Sequence, residues 1–117
     1  MTTYTFDFAL PGLNGKNGLI RSHWSAKKKM KENIQWLIIE QGVVNYKGRV
    51  RLTYKRWSSR DMDDDNFHAS SKLAVDALVK CGVIEDDKPS IITERVWVQE
   101  RGKGKTQIIV ESLEESA

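Results

Sequence analysis

Between Asn66 and Lys80 the residues Phe67, Ser71, Ala74, Val75 and Leu78 recur at helical spacing, and Gly82 follows in a C-cap position. Strand alternation brackets this helix. Before it, Arg49 to Trp57 sets Val50, Leu52 and Tyr54 against Arg49, Arg51 and Lys55; after it come Ile91 to Gln99 and Thr106 to Glu111. A chain that switches between these two periods has to bury a helix stripe on a sheet face, which restricts it to a mixed architecture. The remaining segments agree. Tyr4, Phe6, Phe8 and Leu10 alternate with Thr3, Thr5, Asp7 and Ala9 as a first strand, ended by Pro11 and Gly12. Ser25 stands as the cap of a helix to about Gln41, with Met30, Ile34, Leu37, Ile38 and Gln41 on one side. The expected order is β-α-β-α-β-β: an α/β domain of the α+β type, two helices on a small mixed sheet. Arg101-Gly102-Lys103-Gly104-Lys105 reads as a hairpin-like turn between the last two strands. With 117 residues, no internal repeat and no linker-like stretch, residues 1–117 are expected to be one domain.

Composition removes several classes. No apolar run approaches the ~18 residues of a membrane span. Thr2 to Phe8 has neither a basic start nor a continuous apolar stretch, so no secretory signal is expected and a cytoplasmic location is. Cys81 is the only cysteine, which excludes an intrachain disulfide and a thiolate metal cage. The net charge is only +3, but its distribution is uneven. Half of the 16 acidic residues lie in two clusters (Asp63, Asp64, Asp65; Asp86, Asp87) and near the C-terminus (Glu111, Glu114, Glu115), leaving 19 basic residues against the other half. A basic body with segregated carboxylates suits a polyanion near a cation site, although a well-solvated surface with chance clustering gives the same composition. Lys27, Lys28, Lys29 and Lys31 crowd the first turns of the first helix, where the macrodipole disfavours cations.

The sharpest chemical signal is Asp61-Met62-Asp63-Asp64-Asp65-Asn66 at the entrance to the second helix. Carboxylates this close repel unless a cation offsets them. Magnesium takes oxygen ligands, often one or two carboxylates with waters and phosphate oxygens. In an extended segment Asp63 and Asp65 project to one side and Asp64 to the other, so two carboxylates would face one ion. The competing reading is local: Asp65 caps the helix and Asp64 favours its dipole. Three consecutive aspartates exceed what a cap needs, and the metal reading is preferred. Glu85-Asp86-Asp87 lies past the far end of that helix, roughly 22 Å away along its axis. A shared site would require the chain after Ile84 to fold back; on the residues alone, this second cluster reads as a solvated turn.

Other patterns fail on inspection. Gly104-Lys105-Thr106 resembles the end of a P-loop, but Gln99 replaces the first glycine and a strand follows. The aspartates do not make an EF-hand, with Asn66 in place of the glycine and Lys72 in place of the closing glutamate. His23 and His68 form no zincin pair, and His68 reads as a surface residue. Cys81 reads as a small packing residue, and the four tryptophans as core or interface, with Trp24 beside Arg21 and Lys27 a possible exception.

Asp63-Asp64-Asp65-Asn66, then Lys72-Leu73-Ala74-Val75-Asp76-Ala77-Leu78, then Gly82-Val83-Ile84-Glu85-Asp86-Asp87 resembles the RusA family of Holliday junction resolvases. The likeness covers about 25 central residues in order and spacing. Pro11 and Asn14 after the first strand, and the element order, are similar as well. The resemblance implies a magnesium-dependent endonuclease, with manganese as a substitute, that works as a homodimer on four-way DNA junctions. It makes Asp63, Asp65 and Asp87 the metal-binding catalytic carboxylates and Lys72 the basic residue at the scissile phosphate. It also implies that the Asp86-Asp87 segment returns to the first cluster. The expected DNA contacts are Asn14, Lys16, Arg21, Lys27, Lys28, Lys31, Arg49, Arg51 and Lys55, gripping phosphates without reading bases. In one respect the chain departs from the pattern: Lys72 follows Asp65 by seven residues, with Phe67-His68-Ala69-Ser70-Ser71 as extra length. Seven helical steps return Lys72 to within about 20° of Asp65 but roughly 10 Å along the axis. Two rival readings stay open: a non-catalytic DNA-binding module, and a nuclease preferring other branched DNA.

Overall fold

The computed structural model of the chain describes residues 1–12 and 24–114, with side chains at 1–12 and 28–114. Its elements run β1 (Thr2–Phe6), α1 (Trp24–Gln41), β2 (Val50–Ser58), α2 (Asp64–Lys80), β3 (Ile92–Arg101) and β4 (Lys105–Ser112), the expected β-α-β-α-β-β order. The four strands form one mixed sheet, ordered β1-β4-β2-β3. β2 and β4 are the interior strands: β2 is parallel to β3 and antiparallel to β4, and β1 lies antiparallel along the outer side of β4. Alternation decides the layers. Tyr4, Phe6, Val50, Leu52, Tyr54, Ile108 and Val110 join Ile34 and Ile38 of α1 and Phe67, Leu73, Ala74 and Leu78 of α2 in one buried cluster. Both helices therefore cover the same face of the sheet, and Arg51, Thr53 and Lys55 point to the other.

Two expectations are corrected. The turn between β3 and β4 is not a hairpin: the two strands never pair, because β2 lies between them. The chain hops over the end of β2, where the Gly102 N–H reaches the Ser58 carbonyl at 3.0 Å. The hop spans two strand spacings, about 10 Å, which four residue steps cover. The second correction is that β1 stops at Phe6 rather than running to Leu10, since its partner β4 begins at Lys105 and the pairing ends at Phe6 with Thr106. Beyond that point the Thr106 hydroxyl replaces the missing ladder, donating to the Phe8 carbonyl at 2.8 Å and accepting from the Leu10 N–H at 3.2 Å.

Side-chain amides close two further gaps. Gln41, at the last residue of α1, pairs with both backbone groups of Thr5 at 2.8 and 2.9 Å and so covers the free edge of β1. Gln99 of β3 does the same to Met62, at 2.8 and 2.9 Å, and fixes the acidic segment beside the sheet. Of the tryptophans, Trp36 is not a core residue: it is 64% exposed on the outside of α1. Cys81 is half-buried and its thiol is pushed up by that burial, in keeping with a packing role. No helix among the described residues is long and apolar enough to cross a membrane.

Candidate active site along helix α2

Asp63, not Asp65, is the N-cap of α2. Its backbone is extended (φ −67°, ψ 165°), and its carboxylate accepts from the Asn66 N–H at 2.9 Å and from Asn66 Nδ2 at 3.2 Å. The helix begins two residues earlier than the hydrophobic spacing suggests, so Asp64 and Asp65 occupy its first turn. There their charge is favoured by the helix dipole. The strand-like alternation expected of the three aspartates is thereby lost, because only Asp63 keeps an extended backbone. All three remain exposed. Their position is set by long-range contacts: the Gln99 amide on Met62, and an Arg101–Asp61 ion pair at 3.6 Å.

The stretch between Asp65 and Lys72 has a structural use. Ser70 and Ser71 are buried, and each meets an aromatic residue of the sheet: Tyr54 OH lies 3.0 Å from Ser70 Oγ, and Trp97 Nε1 donates to Ser71 Oγ at 3.1 Å. This turn docks α2 onto β2 and β3. Burial pushes the Tyr54 hydroxyl up to about 12, so it stays a neutral hydrogen-bonding group. On the opposite side, Asp65, His68 and Lys72 are exposed and Asp76 is half-buried, a polar stripe at helical spacing.

The far end of α2 turns the chain back. The Gly82 N–H bonds the Val79 carbonyl at 3.1 Å and the Val83 N–H bonds the Leu78 carbonyl at 2.9 Å, a Schellman closure with Gly82 at φ +78°. Val83 and Ile84 are then buried in the core. The segment that follows climbs beside the helix until Asp87 Oδ2 lies 3.6 Å from Lys72 Nζ, which also stands 3.6 Å from Asp76 Oδ1. Arg95 holds the backbone there, donating from Nη2 to the Asp87 carbonyl at 2.6 Å. The turn expected from the residues alone stays partly solvated, with Glu85 exposed and Asp86 and Asp87 half-buried, but it runs back along the helix. These exposed ion pairs add little stability individually.

The return is partial. Asp87 reaches the level of Lys72, about 10 Å along the axis from Asp65. Among the described residues, no group of three His, Cys, Asp or Glu side chains is gathered to hold a metal ion. The donors suit magnesium in kind: Asp63 and Asp65 supply carboxylate oxygens, and this ion takes only one or two carboxylates, completing its shell with water and phosphate.

The expected DNA contacts are scattered. Asn14, Lys16, Arg21 and the Lys27 side chain lie outside the described residues. Lys28 and Lys31 sit on α1, and Lys31 faces a groove of about 300 Å³ that it shares with Asp76, Lys80, Asp86 and Asp87. Arg49 is paired with Glu114 at 3.1 Å, which holds the Glu114 carboxyl below its usual range through the Arg49 backbone N–H and guanidinium. Arg51 is paired with Glu94 at 2.5 Å and Glu111 at 3.5 Å. Arg51 and Lys55 stand on the sheet face turned away from α2. Sequence reasoning missed Gln99 and Arg95, whose roles follow from contacts that no local pattern announces. Compared with known proteins, the chain matches no family model and no curated protein.

Proposed function

We propose that the chain is a structure-selective endodeoxyribonuclease of the RusA type, dependent on magnesium or manganese, acting as a cytoplasmic homodimer that resolves four-way DNA junctions by paired phosphodiester hydrolysis. The observation that carries this reading is the return of Asp87 to Lys72, on the helix that begins with Asp63 and Asp65. Asp63, Asp65 and Asp87 would hold the metal, whose chemistry when bound is activation of water and neutralisation of phosphate charge. Lys72 would add positive charge beside the phosphate, and its pairing with Asp76 and Asp87 keeps its ammonium on the polar stripe. Lys28 and Lys31 would grip flanking phosphates from α1. A two-fold dimer would present two such sites to a junction of approximate two-fold symmetry.

A synthetic mobile junction and a matched linear duplex, each with magnesium or EDTA, test the reading. The expected result is paired symmetric nicks in the junction alone, only with metal; Asp65→Asn is expected to abolish nicking while junction binding persists. Normal cutting by Asp65→Asn would refute the metal assignment. A panel of flapped and branched substrates separates a junction resolvase from a nuclease for other branched DNA. The second reading, a non-catalytic junction-binding module, is favoured by the Asp63 cap and the ungathered carboxylates. It predicts tight binding with no nicking in either metal.

A further inference from the structure

A cleft of about 560 Å³ opens between α2, the return segment and β3. Lys72, Lys88 and Arg95 line it with one carboxylate, Asp87; Lys72 is already paired with Asp87 and Asp76, which leaves Lys88 and Arg95 as the cations facing the opening. Arg95 has no carboxylate partner among the described residues, and its hydrogen bond goes to a neutral acceptor, the Asp87 carbonyl. Among the described residues, Lys88 is held by a 3.9 Å pair with Asp86, which lies outside the cleft lining. The wall of the cleft is aromatic. Trp97 is half-buried there, oriented by its 3.1 Å bond to Ser71 and backed by Tyr54 at 6.2 Å between ring centroids, and the Arg95 guanidinium lies 5.8 Å from its ring centre.

Two exposed cations, Arg95 with no carboxylate partner among the described residues and Lys88 in a long ion pair, beside an indole and a guanidinium plane, match the two halves of a nucleotide. Phosphate seeks the first, and the π face of a base stacks on the second. The volume falls within the ~300–1,000 Å³ of small-ligand clefts. A base inside a duplex has both faces covered by its neighbours, so only an unpaired one can use such a wall. We propose that this cleft binds one unpaired nucleotide, its base against Trp97 and Arg95 and its phosphate between Arg95 and Lys88. Its place beside Asp87 and Lys72 makes it a subsite of the nuclease proposed above, and it rests on that reading for its biological substrate alone.

The test uses the full chain in EDTA, where no cutting occurs, with fluorescence anisotropy of a labelled short oligothymidylate and of an abasic oligomer of equal length. Oligothymidylate is expected to bind about tenfold more tightly than the abasic probe. Trp97→Leu should erase that difference and Trp97→Phe should keep most of it, while Arg95→Gln and Lys88→Gln weaken both probes. Equal binding of the two probes by the unmodified chain overturns the proposal, and this comparison decides even if Trp97→Leu does not fold. A chain that nicks junctions without preferring the base-bearing probe refutes the cleft alone. Preference without nicking upholds the cleft and refutes only the nuclease.

Discussion

Asp63 carries two demands on one carboxylate: it caps α2 through Asn66, and it is a proposed metal ligand. The demands differ chemically. Asparagine caps a helix about as well as aspartate, but a neutral amide is a far poorer ligand for a hard cation. Asp63→Asn is therefore expected to hold urea stability within about 1 kcal/mol, the share of the helix dipole, and to lose metal-dependent nicking. Asp63→Ala loses nicking too, and is the less stable of the two by about 1 kcal/mol. Full nicking by Asp63→Asn would leave the residue as a cap and nothing more. That an aspartate run opens this helix was plain from its residue types. Which aspartate caps it was not, because that choice depends on Gln99, 37 positions away, fixing Met62.

At the scale of elements, the closure of α2 decides where the second acidic cluster goes. Gly82 has φ +78°, a conformation that costs an L side chain roughly 1–2 kcal/mol. An added Cβ would also stand 3.4 Å from Asn45 Nδ2, whose own bond to the Gly82 carbonyl is 2.6 Å. Gly82→Ala is expected to lower stability by about 1–2 kcal/mol in thermal or urea unfolding, with Gly82→Asn milder. An unchanged midpoint in Gly82→Ala would show that the turn relaxes without its left-handed residue. The helix stop was legible in Gly82 itself. The direction of the chain beyond it was not, since burial of Val83 and Ile84 and the Arg95 contact set that course from distant elements. The same holds for β3 and β4: a glycine-rich turn predicts a reversal, while pairing on both sides of β2 decides that the reversal crosses a strand.

For the molecule as a whole, Tyr54 links helix to sheet from inside the core. Its hydroxyl is pushed up to about 12 by burial, against an ordinary value of 10.0. The folded state therefore holds this proton more tightly than the unfolded chain does. The stabilisation is fully present below pH ~10 and is lost as pH rises through ~12, on the order of 2–3 kcal/mol in all. Urea midpoints between pH 9 and 12 are expected to fall more steeply for the unmodified chain than for Tyr54→Phe, which has no such proton. Parallel decline in the two would remove Tyr54 as the cause. The same core divides the basic surface. Because both helices cover one sheet face, Lys28 and Lys31 lie on the α2 side and Arg51 and Lys55 on the other, so one DNA duplex arm does not meet them all on a single face.

Local periodicity and residue chemistry determined the element order, the helix stop at Gly82 and the acidic entrance to α2, because each depends on neighbours within a few residues. Tertiary structure alone decided the strand order, the cap at Asp63, the climb of Asp87 to Lys72 and the wall made by Trp97 and Arg95. The contacts behind them reach from Asp87 with Lys72, 15 positions apart, to Thr2 with Val110, 108 apart. Such contacts form only when the alternating faces of four strands and two helices are buried together, and the free energy that selects them belongs to the whole core.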